Sequence, residues 1–314
     1  MSWRERIWLK IFSISYFAFL NPILHLALDT HIKTILCGFG QVMLQNNALT
    51  GLMFLIGIFY NSWPMGLGAI LGNIIGTISA ALLRYSRDDI KNGLYGFNGT
   101  LVGIAVWFYF GINILTTSAI IAGAFLSAIV MHIIKKRISA LTAPFVISTW
   151  VVIFGLKFLY PASAMALPLP QSDSLNLLSA VSMGFGQVMS QENIVTGLIF
   201  FIAILVNSRN AAIFALYGSL FGGLIALLLP IPANMVNIGL FGYNAVLCGI
   251  ALGNKKFDAF LLTTFAIILS VLLYFGFYKA GIIALTAPFV LAAWTVLLVK
   301  SIQLKTKFKM LHTK

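Results

Sequence analysis

A six-residue stretch that occurs twice decides the fold of this chain. It reads GFGQVM at residues 38–43 and again at residues 184–189, 146 positions further on (from 38 to 184). Both copies continue through a glutamine and an asparagine to Thr-Gly-Leu, at residues 50–52 and 196–198. A repeat of this length predicts that the chain contains two related halves.

Two further motifs repeat at nearly the same offset. GLYGFN at residues 93–98 returns as GLFGYN at 239–244, and LTAPF at 141–145 returns at 285–289. Three motifs in one order therefore indicate two homologous halves. The predicted organisation is an N-terminal apolar and basic extension (1–30), a first repeat (31–160), a linker (161–174), a second repeat (175–300) and a basic tail (301–314).

The composition is that of a membrane protein. Of 314 residues, 60% are apolar and 9% are charged, whereas soluble domains carry about 25% charged residues. The net charge of +13 is spread over short clusters between apolar runs, and nucleic-acid binding needs a continuous basic face. The composition thus excludes a soluble enzyme and makes nucleic acid an unlikely partner.

Each half divides into one short segment with the GFGQVM motif and five apolar runs. The runs lie near residues 48–60, 65–83, 93–110, 113–134 and 138–160, and near 194–206, 211–229, 239–252, 259–277 and 281–300. A membrane-spanning helix needs about 20 residues. We therefore predict an all-α polytopic membrane protein whose halves each have five transmembrane helices and one re-entrant half-helix around a central pore.

The positions of Lys and Arg predict the orientation of the halves. Cationic residues in short loops mark the cytoplasmic side, and ten spans place nearly all of them on one side. The connectors assigned to the other side, residues 61–65, 161–176 and 230–238, contain no Lys or Arg. Because five spans per half is an odd number, the halves are predicted to form an inverted repeat with a cytoplasmic C-terminus.

The apolar run at residues 11–29 is interrupted by Asn21 and Pro22 and follows a basic cluster. A full crossing would put that cluster outside the cell, against the rule for cationic residues. We therefore predict an interfacial or re-entrant segment, with an eleventh span as the alternative.

The repeated LTAPF motif predicts hydrogen-bond acceptors in the pore. In an inverted repeat, the transport path follows the axis between the halves. Each proline leaves the carbonyl four residues earlier, that of Ala140 or Ala284, without its helical partner. With the hydroxyls of Thr142 and Thr286, these carbonyls form a predicted line of acceptors for a solute rich in N–H donors. The alternative is a proline kink with each threonine bonded to its own helix.

The GLYGFN and GLFGYN motifs predict an apolar constriction. Phe97 and Leu101 are four residues apart and share a helix face, as do Tyr243 and Leu247. Two such pairs facing each other would form a slot that passes a flat molecule and excludes a hydrated ion. Core packing is the alternative for any single one of these side chains.

Polar side chains beside the GFGQVM motifs are candidate pore residues. Gln41 and Gln187 need partners inside a membrane segment, and each offers an acceptor and two donors. Glu192 is a rare acid close to an apolar run, with Asn46 at the matching place in the first half. For Glu192, a role at the pore mouth and simple solvation are both open.

Nothing in the sequence indicates a metal, a cofactor or an enzyme site. Cys37 and Cys248 lie at unrelated positions in apolar stretches, and the four histidines are scattered. Metal sites and catalytic sites need such groups at suitable spacings.

At these repeated motifs the chain resembles the urea transporters. The resemblance covers about residues 32 to 298 and implies a homotrimer in which each protomer has its own pore for passive urea flux. It implies that Phe97, Leu101, Tyr243 and Leu247 form the slot. Leu44 and Ser190 lie near the slot by the same resemblance, and Thr142 and Thr286 are the central threonines. Tyr243 stands where many members have phenylalanine.

The predicted function is channel-like urea transport in a bacterial plasma membrane. An apolar constriction rejects ions because it offers no replacement for their water. The alternative is a transporter of a small polar solute such as urea, an amide or ammonia that is coupled to H⁺ or Na⁺. Coupling normally requires an intramembrane acid, and only Glu192 and Asp258 lie near the apolar runs.

Overall fold

The protein is all-helical in the part that the computed structural model describes. That part covers residues 30–159 and 174–312, without the side chains of Leu159 and of residues 304–312. Fourteen α-helices and no strand are present in these ranges, which confirms the predicted all-α class. The predicted N-terminal segment and most of the predicted linker lie outside the described residues.

The two halves contain seven helices each, in the same order. In the first half these are α1 (Thr30–Gln41), α2 (Ala48–Asn61), α3 (Trp63–Leu82), α4 (Arg87–Lys91), α5 (Gly96–Phe110), α6 (Ile114–Ile134) and α7 (Ala143–Leu159). In the second half they are α8 (Leu177–Gly186), α9 (Ile194–Asn207), α10 (Arg209–Ala226), α11 (Ala233–Asn237), α12 (Tyr243–Leu252), α13 (Phe257–Lys279) and α14 (Ala287–His312).

Four described helices are long and apolar enough to cross a membrane, namely α3, α6, α10 and α13. α8, the short 3₁₀ turn Gln187–Met189 and α9 together have the length and apolar character of a fifth span, with a bend of 75° between the turn and α9. Large apolar side chains such as Ile114 and Phe158 are 85% and 86% exposed, as expected for surfaces that face lipid. The chain is thus a multi-pass membrane protein.

Each GFGQVM motif lies where one helix ends and the chain turns. Leu44 and Ser190 adopt left-handed backbone conformations, with φ of 58° and 55°, and this conformation terminates the preceding helix. Asn47 and Asn193 then begin α2 and α9, because each side chain accepts a hydrogen bond from the amide three residues further on. The first apolar run of each half is therefore preceded by a separate short helix.

Glycines let helices of one half pack backbone to backbone. A Cβ atom on Gly72 of α3 would lie 1.9 Å from the carbonyl oxygen of Gly99 in α5, and one on Gly103 would lie 1.9 Å from that of Gly68. Small residues are typical of such close contacts between membrane helices. This packing fixes α5, which carries two of the predicted slot residues.

Contacts between the halves occur in equivalent pairs. The Thr50 hydroxyl donates to the Ala203 carbonyl over 3.1 Å, and the equivalent Thr196 hydroxyl donates to the Gly57 carbonyl over 3.0 Å. The rings of Phe54 and Phe200, which are themselves equivalent, meet edge to face at 5.0 Å.

Tryptophans add a second pair of such contacts between the halves. The indole nitrogen of Trp150 donates to the Ile283 carbonyl over 2.8 Å, and that of Trp294 donates to the Ser139 carbonyl over 2.8 Å. These bonds hold the residues just before each LTAPF motif against α7 or α14 of the other half.

Candidate functional site

Two threonine hydroxyls meet between the halves. The hydroxyl of Thr286 donates to that of Thr142 over 2.7 Å, and these residues are 2% and 0% exposed. The threonines are 144 positions apart and occupy the same place in the two LTAPF motifs. The bond joins the two halves and excludes the alternative in which each threonine bonds only within its own helix.

The helices that follow the threonines have a proline in their first turn. The preceding Leu141 and Leu285 have left-handed backbones, with φ of 49° and 47°, and α7 and α14 start two residues later. Proline is well tolerated in the first turn of a helix because its missing amide needs no intrahelical partner there. The prolines thus set where these helices begin.

Asparagines from the other repeated motif cap the same helices. The side-chain oxygen of Asn98 accepts from the Phe145 amide over 3.0 Å, and that of Asn244 accepts from the Phe289 amide over 3.1 Å. Both asparagines are at most 1% exposed. Sequence reasoning did not assign these residues a role, although their place in a repeated motif was a signal for one.

The carbonyls of Ala140 and Ala284 differ from the prediction. Each accepts a backbone hydrogen bond over 3.0 Å, from the amide of Ala143 or Ala287. The proline supplies no amide to the carbonyl four residues earlier, but that carbonyl accepts from the residue three positions on because the chain turns at the start of the LTAPF motif. Each carbonyl oxygen retains a second lone pair, so it can still accept a further hydrogen bond.

A cavity of about 410 Å³ reaches the threonine pair from one side. Six of the predicted site residues line it, namely Gln187, Ser190, Glu192, Tyr243, Ala284 and Thr286. The other predicted site residues do not line it, and these are Gln41, Leu44, Phe97, Leu101, Ala140, Thr142 and Leu247. The cavity therefore belongs mainly to the second half.

The four predicted slot residues are all buried. Phe97 and Leu101 are 2% exposed, Tyr243 is 7% exposed and Leu247 is 0% exposed. They belong to one continuous apolar core, and Tyr243 reaches the cavity. Its hydroxyl donates to the Leu285 carbonyl, a contact that a phenylalanine cannot make.

The two GFGQVM glutamines have different partners. The side-chain nitrogen of Gln187 donates to a carboxylate oxygen of Glu192 over 3.2 Å. That of Gln41 donates to the carbonyl of Asn92 over 3.1 Å, and Asn46 donates to the side chain of the same residue over 3.1 Å. Each glutamine amide thus has the partner that it was predicted to need. The partner of Gln187 is an acid, whereas that of Gln41 is a neutral asparagine.

An ion pair lies close to the Gln41 end. Lys135 donates to Asp89. Asp89 belongs to α4, which ends at Lys91, immediately before Asn92. Burial lowers the pKa of Lys135, but the hydrogen bond to Asp89 and the nearby Tyr95 outweigh this effect and raise it above its usual value. Lysine therefore stays charged at neutral pH, and the pair ties α4 to the end of α6.

Aromatic side chains missed by sequence reasoning complete the cavity. Phe108 and Tyr109, at the end of α5, line it together with Tyr274 and Tyr278 of α13. These residues belong to no repeated motif, so the sequence carried no signal for them. In the part of the chain that is described, no group of three or more His, Cys, Asp or Glu side chains is placed to hold a metal ion.

The chain matches known transport proteins over most of its length. A family model described as "Urea transporter" matches residues 32–301. Urea transporter 1 of Mus musculus is 29% identical over 282 residues, which cover 83% of this chain and 72% of the relative. Urea transporter 1 of Capra hircus is 28% identical over 297 residues, which cover 85% and 76%. The resemblance seen in the repeated motifs is confirmed: the chain belongs to the urea transporter family, a family of transport proteins and not of enzymes.

Proposed function

We propose that this protein conducts urea passively across a membrane. The observation that carries the proposal is the buried bond between Thr142 and Thr286, which places two hydroxyl oxygens between the halves at the end of a cavity. Urea has four N–H donors and needs such acceptors once it has lost its water. The family membership and the names of the relatives support urea as the solute.

In the proposed mechanism, urea sheds water between apolar walls formed by Phe97, Leu101, Tyr243 and Leu247. Its N–H groups then donate hydrogen bonds, one after another, to threonine hydroxyls and backbone carbonyls. Urea is neutral, so no ion needs to accompany it. An ion is rejected because apolar walls do not replace its hydration and burial of a bare charge is very costly.

We also propose that the halves form an inverted repeat with ten spans and a cytoplasmic C-terminus. The equivalent contacts between the halves support a pseudo-twofold relation, since residues that meet their own equivalents lie close to such an axis. The distribution of Lys and Arg supports the orientation. The proposed repeats cover residues 31–160 and 175–300, and the assembly is a homotrimer with one pore in each protomer.

The function is tested by urea flux into proteoliposomes of the purified protein. Urea is expected to equilibrate rapidly, at a rate independent of an imposed H⁺ or Na⁺ gradient, because the proposed pore moves no charge. Stopped-flow light scattering measures this rate, and protein-free vesicles provide the baseline. Flux that requires either gradient would contradict the channel and favour the ion-coupled alternative.

The inversion is tested by labelling single cysteines in equivalent connectors. Lys91 and Pro232 are both exposed and occupy the same connector in the two halves. In a background with the buried Cys37 and Cys248 replaced by alanine, Lys91→Cys and Pro232→Cys are expected to react from opposite sides of the membrane. A membrane-impermeant maleimide added to intact and then to permeabilised cells measures this. Labelling of both positions from the same side would show parallel halves.

A further inference from the structure

The cavity above the threonine pair combines one acid with several phenol rings. We call it the acidic vestibule and define it by Glu192, Tyr109, Tyr243, Tyr274 and Tyr278, all of which line it. The carboxylate of Glu192 can accept N–H groups of urea, but its negative charge gives no advantage with a neutral solute. The chemistry of the vestibule therefore calls for its own explanation.

The phenol rings are arranged around the space and held against one another. Tyr243 and Tyr274 meet edge to face, with ring centroids 5.7 Å apart, and Phe241 supports Tyr274 edge to face at 4.8 Å. Aromatic faces attract an organic cation that comes within about 6 Å of the ring centroid. The packed pair Tyr243 and Tyr274, with Tyr109 and Tyr278 in the same lining, is thus a surface that favours a cation over a neutral molecule.

Glu192 supplies the charge that such a ligand needs. It accepts one hydrogen bond, from Gln187 over 3.2 Å, and a carboxylate has about four acceptor positions. The side chain is exposed to the vestibule. A planar donor with two parallel N–H groups can bind a carboxylate through two hydrogen bonds.

The opposite end of the site lacks this combination. Asn46 takes the place of Glu192 there, and Phe97 takes the place of Tyr243. The cavity of about 330 Å³ beside Asn46 is lined by two lysines, Lys33 and Lys91, and by no aromatic residue. The place of Glu192 is therefore acidic in the second half only, and the cavity beside its counterpart Asn46 is cationic.

We propose that the acidic vestibule binds small planar organic cations of the guanidinium class and that such a cation, once bound, blocks the entrance to the pore. Guanidinium has the trigonal planar shape of urea, carries only N–H donors and stacks on aromatic faces. It stops above Thr286 because the apolar slot offers no replacement for its hydration. The blocking step rests on the proposed urea function, whereas binding of the cation does not.

One cation of the protein lies near the rim and is expected to weaken the binding. The ammonium group of Lys279 lies 5.4 Å from the ring centroid of Phe275 and 6.0 Å from that of Tyr278. It does not line the vestibule. The positive charge of Lys279 repels a cation bound in the vestibule. Removal of this lysine is therefore expected to strengthen binding, whereas removal of the Glu192 charge is expected to weaken it.

Binding is tested with methylguanidinium and with its neutral counterpart N-methylurea on the detergent-solubilised protein. Saturation-transfer NMR on the methyl protons reports each ligand directly, without any flux. Glu192→Gln is expected to weaken methylguanidinium binding about fivefold, and Lys279→Gln to strengthen it roughly twofold. Asp258→Asn removes an exposed acid outside the vestibule and is expected to change nothing. Equal methylguanidinium affinity in the wild type and Glu192→Gln, or no binding in either, overturns the proposal.

Block is then measured in proteoliposomes as the ratio of urea flux with and without millimolar methylguanidinium, within each variant. The wild type and Asp258→Asn are expected to be blocked at the same concentration, and Glu192→Gln at about fivefold higher concentration. Sodium chloride at equal ionic strength on both sides of the membrane is the control, because Na⁺ offers no N–H donor and no flat organic surface. Binding without urea flux in the wild type would refute the proposed function and leave the cation site intact, whereas urea flux without cation binding would refute the cation site alone.

Discussion

Replacing Thr142 or Thr286 with valine is expected to slow urea flux roughly 5- to 150-fold. Valine keeps the approximate shape of threonine and deletes the hydroxyl. In the protein this hydroxyl forms a hydrogen bond of 2.7 Å with the hydroxyl of the partner threonine. An unmet polar group at a buried site costs about 1–3 kcal/mol, and 1.4 kcal/mol in the barrier is about tenfold in rate. Stopped-flow urea flux per mole of reconstituted protein measures the loss.

Serine provides the matched control for this pair. Thr142→Ser and Thr286→Ser retain the hydroxyl, so their flux is expected to stay close to that of the wild type. The double valine variant tests whether the pair acts as a unit, since neighbouring groups rarely have additive effects. Wild-type flux in both single valine variants, at normal expression, would contradict a role for these hydroxyls in transport.

Gly72→Ala is expected to destabilise the protein by about 3 kcal/mol, at the upper part of the usual range for overpacking. The new methyl group would lie 1.9 Å from the carbonyl oxygen of Gly99, so α3 and α5 have to separate. The contact is with backbone atoms, which no rotamer change relieves. The apparent melting temperature in one detergent, followed by tryptophan fluorescence, measures the effect.

Gly276 is the control position for this substitution. It lies inside α13, and a Cβ atom built there has nothing within 4 Å. Gly276→Ala is expected to leave the melting temperature unchanged or to raise it, because alanine favours a helix over glycine by about 1 kcal/mol. A Gly72→Ala protein as stable as the wild type would show that the two helices are not in the close contact described.

The sequence by itself determined the all-α membrane class of the protein. A composition with 60% apolar and 9% charged residues is far from that of soluble domains and indicates a bilayer protein. Some helices match the predicted apolar runs, such as α6 (Ile114–Ile134) for the run at 113–134, whereas α14 (Ala287–His312) extends well beyond the run at 281–300 and the short helices α4 and α11 were not predicted. The repeated motifs were also sufficient to indicate the family.

The same motifs did not reveal how their residues act on one another. Sequence reasoning singled out the prolines and predicted unpaired carbonyls at Ala140 and Ala284, but both carbonyls accept backbone hydrogen bonds. The chain turns there and new helices begin at Ala143 and Ala287, and Asn98 and Asn244, more than forty residues away, cap them. A local rule for a proline inside a helix does not apply where a distant side chain sets the helix start.

Only the tertiary structure decided which of the candidate residues meet. Thr142 and Thr286 share a hydrogen bond across 144 positions of sequence, and no periodicity predicts a contact at that separation. Tyr109 and Tyr274 join Glu192 in one cavity although neither tyrosine belongs to a repeated motif. A repeated sequence fixes what the two halves have in common, whereas the differences between the two ends of the site arise from unrepeated side chains that only the packing of the helices brings together.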